Sequence, residues 1–199
     1  MKVILPEDIS EITLGQYQEY IKLLDFKGED LKKKKVCLFT GLSTKTLKQI
    51  SLKDFEEMSD QIDRALDQIS DFKNRFTLNG IEFGFIPNFD NITTAEFVDL
   101  SKYNTDPETL HNLMAILFRP ITKKAFSTYD IELYNGTGQY SEMMKDAPMN
   151  IVNGALVFFY NLQNELLVSI QKSTEEVQKK VERLQTILKN GDGMQHSNG

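Results

Sequence analysis

Two histidines, one cysteine, a run of four lysines and a few paired carboxylates are the residues here that could carry chemistry. A metal site needs His, Cys, Asp or Glu clustered at ligand spacing. His111 falls in a helix-like segment and His196 in a short polar stretch near the C-terminus, so neither belongs to a ligand pair. Nucleophilic catalysis needs a Ser or Cys beside a base with a third, orienting group. His111 is the base on offer, and nothing near it in sequence marks a partner. Cys37, between Val36 and Leu38, reads as a core thiol. A single cysteine also excludes an internal disulfide and fits a reducing compartment. Asn135-Gly136-Thr137-Gly138 lacks the lysine and the strand-loop-helix setting of a phosphate loop, and reads as a flexible turn. Asp60 with Asp63 and Glu175 with Glu176 fall on helix faces expected to be wet, where no pocket tunes them for acid–base work. The expectation is a protein with no catalytic, cofactor-binding or metal-binding residue, and not an enzyme.

Lys32-Lys33-Lys34-Lys35 reads as the solvated first turn of a helix. The competing reading, a local nucleic-acid contact, predicts salt-sensitive DNA binding. A net charge of -6 and a pI near 5.1 argue against a general nucleic-acid binder, which needs a basic face. Hydrophobic content of 40% with thirteen Phe is enough to build a core. The N-terminus has no signal-peptide pattern, because Met1-Lys2-Val3-Ile4-Leu5 stops at Pro6 and turns acidic. The apolar run around Phe158 is broken by Asn161, Gln163, Asn164 and Glu165, too soon for a membrane span of ~20 residues. A soluble protein made in the cytosol is expected.

The elements that would position these residues are mostly helices. Met1 to Leu5 reads as a short strand. Thr13 with Gln16 forms a capping box, opening a helix with Leu14, Tyr17, Ile21 and Leu24 inward. A second helix, Glu29 to Thr40, stops at Gly41, and Ser43 caps a short turn. Ser51 with Asp54 starts a helix in which Leu52, Phe55, Met58, Ile62, Leu66 and Ile69 recur at helical spacing. The hairpin, at about 75–85, runs through Arg75-Phe76-Thr77-Leu78, Asn79-Gly80 and Ile81-Glu82-Phe83-Gly84-Phe85, since Asn-Gly suits two positive φ angles. A two-stranded hairpin is not stable alone, so Phe76, Phe83 and Phe85 must pack on helices. Thr93 with Glu96 caps a helix carrying Phe97 and Leu100. Asp106-Pro107-Glu108 starts another that Pro120 stops. Ile121 to Thr137 reads as irregular, with room for a second hairpin through Tyr129 to Leu133, and a short helix follows near Tyr140 to Lys145.

From Pro148 to Asn190 the pattern predicts one long helix of roughly 60 Å. Its first half is apolar nearly all round. Its second half keeps a heptad seam of Leu167, Ile170, Thr174, Val177, Val181, Leu184 and Leu188. The expected fold is therefore mainly α with a small β-hairpin, an α+β arrangement. Residues 1–147 would form a compact helical body, residues 148–190 a C-terminal helix that is part core and part coiled-coil-like extension, and residues 191–199 a disordered tail. The expected partner-binding residues are Leu167, Ile170, Val177, Val181, Leu184 and Leu188.

Four pieces in this order resemble proteins of the structural and tail modules of tailed bacteriophages. They are Ile12-Thr13-Leu14-Gly15-Gln16-Tyr17; Leu38-Phe39-Thr40-Gly41-Leu42 with Ile50-Ser51-Leu52-Lys53-Asp54-Phe55; Phe76 to Phe83 with Ile92 to Leu100; and Met114 to Pro120 with Asn153-Gly154-Ala155-Leu156-Val157-Phe158-Phe159-Tyr160. The chain looks like tail assembly chaperones and is similar to virion proteins of crAss-like phages. The resemblance covers Ile12 to Tyr160 and leaves out Glu165 to Gly199. It implies a non-enzymatic assembly protein that covers apolar segments of tape-measure or tube proteins. Its partners would be other phage structural or tail proteins, with a second copy of the chain as a further candidate, and neither membrane nor nucleic acid is expected. Its place would be the host cytoplasm during assembly. The alternative is a structural component of the virion, such as a ring, a connector or a packaged cargo protein.

Overall fold

Side-chain oxygens placed three residues before an amide start four of the described α-helices. The computed structural model describes residues 3–126 and 128–191, and within the last helix it describes side chains at 149–165, 175, 178–183. Thr13 Oγ1 accepts from Gln16 N at 3.2 Å while Gln16 Oε1 accepts from Thr13 N at 3.0 Å, opening α1 (Leu14–Leu23). Each bond satisfies an amide that the first turn leaves without a helical partner. α2 (Gly28–Thr40) ends on Gly41 at φ +69°. Ser43 caps α3 (Thr44–Leu47) and Ser51 caps α4 (Leu52–Leu66). The second capping box, Thr93 with Glu96, opens α5 (Thr94–Tyr103). A 3-10 turn at Pro107–Thr109 leads into α6 (Leu110–Leu117), a short α7 (Ser141–Met144) follows, and the last helix is α8 (Met149–Gly191).

The expected hairpin is present as β1 (Arg75–Leu78) and β2 (Ile81–Phe85), turned by Asn79 at φ +49° and Gly80 at φ +80°. The strand content is larger than a hairpin. β3 (Phe118–Ala125) pairs with β2, and β4 (Thr128–Ile131) pairs with β3, giving an antiparallel meander in the order β1-β2-β3-β4. The fold is α+β. Pro120 lies inside β3 rather than simply ending a helix. Ile86 N donates to Leu117 O at 2.9 Å, so Pro120 falls on the alternate side of the ladder and its missing N–H removes no bond to β2. Its carbonyl accepts from Glu132 N at 2.9 Å.

One face of the sheet supplies the core. Phe76 stacks on Phe83 at 5.7 Å and meets Phe118 edge-on at 5.0 Å, while Phe83 meets Tyr140 edge-on at 5.6 Å. Leu113, Met114, Ile116, Leu117, Met144 and Met149 are fully buried. The chain from Ile12 to Gly15 is laced to the start of α8: Leu14 N donates to Ala147 O (2.9 Å), Gly15 N to Lys145 O (2.7 Å) and Met149 N to Ile12 O (2.8 Å). On the opposite face Tyr129 lies over Gly84, and its hydroxyl donates to the carbonyls of Asn74 (3.0 Å) and Phe85 (2.9 Å).

Several expected positions differ. Val3 to Leu5 form no strand, and a 3-10 turn at Ile9–Glu11 follows instead. Leu24, expected inward, is exposed, as is Leu52 of the α4 series, and Ile69, 97% exposed, lies past the end of α4. α4 buries Phe55, Ser59, Ile62 and Ala65, while Leu52, the first residue of the helix, stays outside. Residues Met1–Leu156 form one unit and Val157–Gly199 a second. The expected tail lies outside the described residues apart from Gly191. No helix among the described residues is long and apolar enough to cross a membrane.

Candidate functional site

A cleft of about 510 Å³ opens between the chain from Ile86 to Thr93, the start of α5, and strands β3 and β4. Arg119 is at its floor. A charged side chain inside the apolar run Leu117-Phe118-Arg119-Pro120-Ile121 must find a partner, because an isolated buried charge costs many kcal/mol. Arg119 finds Glu96: Nη2 is 2.6 Å from Oε1, with the two side chains 10% and 5% exposed. Glu96 uses its other oxygen to accept from Thr93 N at 2.6 Å, so one carboxylate closes the capping box of α5 and holds β3. The guanidinium also lies 5.6 Å from the centre of the Tyr134 ring. Tyr134 donates its hydroxyl to Asp99 of α5. Burial, then that bond to a carboxylate, pushes the Tyr134 phenol far above its usual range. Tyr140 donates to Glu132 at 2.7 Å and is pushed up to about 12, chiefly by burial.

These groups hold one another. The carboxylates of Glu96, Asp99 and Glu132 each accept from a named donor, and both phenols stay protonated through the neutral range. Such an array positions α5 against the sheet and offers no activated nucleophile. Arg119 Nε is buried without a hydrogen-bond partner among the described residues. Neither Arg119 nor Tyr134 stands out in sequence, and Glu96 reads there only as a cap. The usable signal is the arginine within an apolar run, which rarely goes inside unpaired.

The residues considered for chemistry are placed as follows. Gln18, buried on α1, donates through Nε2 to the carbonyls of Pro107 (2.9 Å) and Glu108 (2.8 Å) and lies 3.1 Å from His111 Nδ1. Burial, then Lys145, holds the His111 pKa below its ordinary value. His111 therefore helps dock α6 on α1. Cys37 is half-buried, and burial pushes its thiol up, away from reactivity. The lysine run is only partly a solvated turn. Lys32 meets Glu56 at 2.8 Å, Lys34 lies over Phe26 at 4.2 Å, and Lys35 is buried with Asp63 at 2.6 Å. Asp60 and Asp63 thus separate into different environments. Among the described residues no group of three or more His, Cys, Asp or Glu could hold a metal ion.

Of the six expected partner-binding residues, Val181 is described, and it is 45% exposed. The side chains of Leu167, Ile170, Val177, Leu184 and Leu188 lie outside those described. Val157, Phe158 and Tyr160, also on α8, are exposed as well. No family profile, curated protein or solved structure matches the chain.

Proposed function

We propose that the chain is a non-enzymatic assembly protein of a phage structural module, similar in role to a tail assembly chaperone, and that it binds its partners through an apolar surface of α8. In this proposal α8 acts as one long helix, and the seam Leu167, Ile170, Val177, Val181, Leu184 and Leu188 lies in the groove of a partner by spaced anchors. The observation that supports it is the exposure of Val157, Phe158, Tyr160 and Val181 along α8. Val181 belongs to that seam, and an exposed apolar side chain on a helix is what a helix-in-groove contact uses.

The test pairs a double substitution with a truncation. Val177→Asp with Leu184→Asp is expected to leave the unfolding midpoint of the body unchanged, and the full chain and a chain cut after Ser169 are both expected to be monomers by light scattering. Collapse of the whole fold on double substitution would place the seam in the protein's own core and refute the reading. An oligomer that becomes a monomer on truncation would instead favour the virion component.

A further inference from the structure

β1 is the outer strand of the meander, and among the described residues nothing pairs with its outer edge. Phe85 N donates to Asn74 O at 2.8 Å, so Asn74 presents its backbone to β2. Antiparallel ladders alternate, so Phe76 and Leu78 do the same, and Arg75 and Thr77 turn their N–H and C=O groups away. Both residues are exposed. Among the described residues, no hydrogen bond of the structure uses those outward groups. β1 carries no proline and no bulge, two of the devices that commonly blunt an edge. Alongside it runs a shallow groove of about 730 Å³ lined by Phe72, Lys73, Asn74, Arg75, Phe76, Thr77 and Glu82.

The charge of this edge selects its occupant. Lys73, Arg75 and Thr77 share one face by the period of two. Glu82, opposite Thr77, is neutralised by Lys124. Lys73 feels Asp8, but only as the weakest influence on that carboxylate, whose pKa is lowered first by its hydrogen bonds with Ser10. The Arg75 guanidinium lies 5.9 Å from the Tyr129 ring, which places a positive charge beside the open backbone groups. In a chain of net charge -6, this is a local cationic strip. A second copy fits poorly: two β1 strands paired antiparallel about Phe76 would make the two copies' Arg75 diagonal neighbours on one face, where like charges repel.

We propose that the outer edge of β1 is a strand-addition site for an extended acidic segment of a partner protein. The incoming strand pairs with Arg75 and Thr77 through four main-chain hydrogen bonds, the usual source of affinity in β-augmentation. Its acids stand two residues apart, opposite Arg75 and Lys73, and an apolar residue between them and its β-branched start meets Phe76. This surface has a different chemistry from the seam of α8 and stands without it.

The probe is a fluorescein-labelled Thr-Val-Glu-Val-Glu peptide titrated against the full chain by fluorescence anisotropy. The expected result is saturable binding that weakens with salt. Arg75→Glu, and separately N-methylation of the peptide amide opposite Arg75, are each expected to weaken it by at least about tenfold. The N-methylated peptide leaves the protein untouched, so that arm does not depend on a variant folding. Absence of saturable binding, equal binding of the Thr-Val-Lys-Val-Lys peptide, or indifference to N-methylation would overturn the proposal. So would a concentration-dependent dimer that Arg75→Glu abolishes, which would assign the edge to a second copy. The α8 double substitution leaves this assay unaffected, so failure here is separable from failure of the assembly reading.

Discussion

Gly154→Ala, in the second turn of α8, sets two known effects against each other. In an exposed helix interior this substitution gains about 1 kcal/mol, because alanine loses less backbone entropy than glycine. Gly154 is not exposed. A Cβ built on it would lie 2.4 Å from Asp71 O, 2.9 Å from Asp71 C and 3.0 Å from Phe72 Cα, where ordinary contact begins at 3.4 Å. All three atoms are backbone, so none can swing aside as a side chain does. The helix and the Asp71–Phe72 segment would have to separate by about 1 Å, opening a tightly packed interior. Overpacking typically costs about 1–3 kcal/mol, and a clash with main chain belongs at the upper end. The expected net is a destabilisation of about 1–2 kcal/mol, read as a lower midpoint at unchanged slope in urea unfolding followed by circular dichroism. In thermal unfolding it corresponds to a drop of about 2–4 °C per kcal/mol for a chain of this length. Gly138→Ala, where an added Cβ meets nothing within 4 Å, is the control and should be close to neutral. A Gly154→Ala protein as stable as wild type, or more so, would show that propensity outweighs the contact and would refute the reasoning.

Two further outcomes follow from the buried charges. Glu96→Gln keeps the shape at the start of α5 but leaves Arg119 charged and buried without a counter-charge; it should cost about 3–5 kcal/mol in urea unfolding, and adding Arg119→Met should recover most of the loss. A single variant as stable as wild type would mean that water reaches the pair. His111 should titrate below its ordinary 6.5 when its ring protons are followed by NMR, because burial disfavours the imidazolium. Since the folded value is the lower one, its contribution to stability is present above the unfolded value and is lost as pH falls through the folded one. A midpoint at or above the ordinary value would contradict the docking of His111 against Gln18.

Features set within a few residues of each other were legible in the chain. Thr13 with Gln16, Thr93 with Glu96 and Ser51 with Asp54 specify helix starts because donor and acceptor are three residues apart whatever the rest of the protein does. Asn79-Gly80 specifies its turn because both residues take positive φ there. What crosses long stretches of sequence was not legible. The second hairpin that the sequence allows through Tyr129 to Leu133 overlaps β4, but β3 does not show itself, since Pro120 and its lysines obscure the alternation and only pairing with β2 reveals it. The lysine run suggests a solvated turn, yet Lys35 is buried, because Asp63, on a helix that begins after another turn, reaches it. Glu96 declares itself locally as a cap, but nothing local says that Arg119 waits on the neighbouring strand. Local hydrogen-bond geometry is written in the spacing of adjacent residues. The partner of a buried charge is decided by which elements pack together, and that depends on the whole core at once.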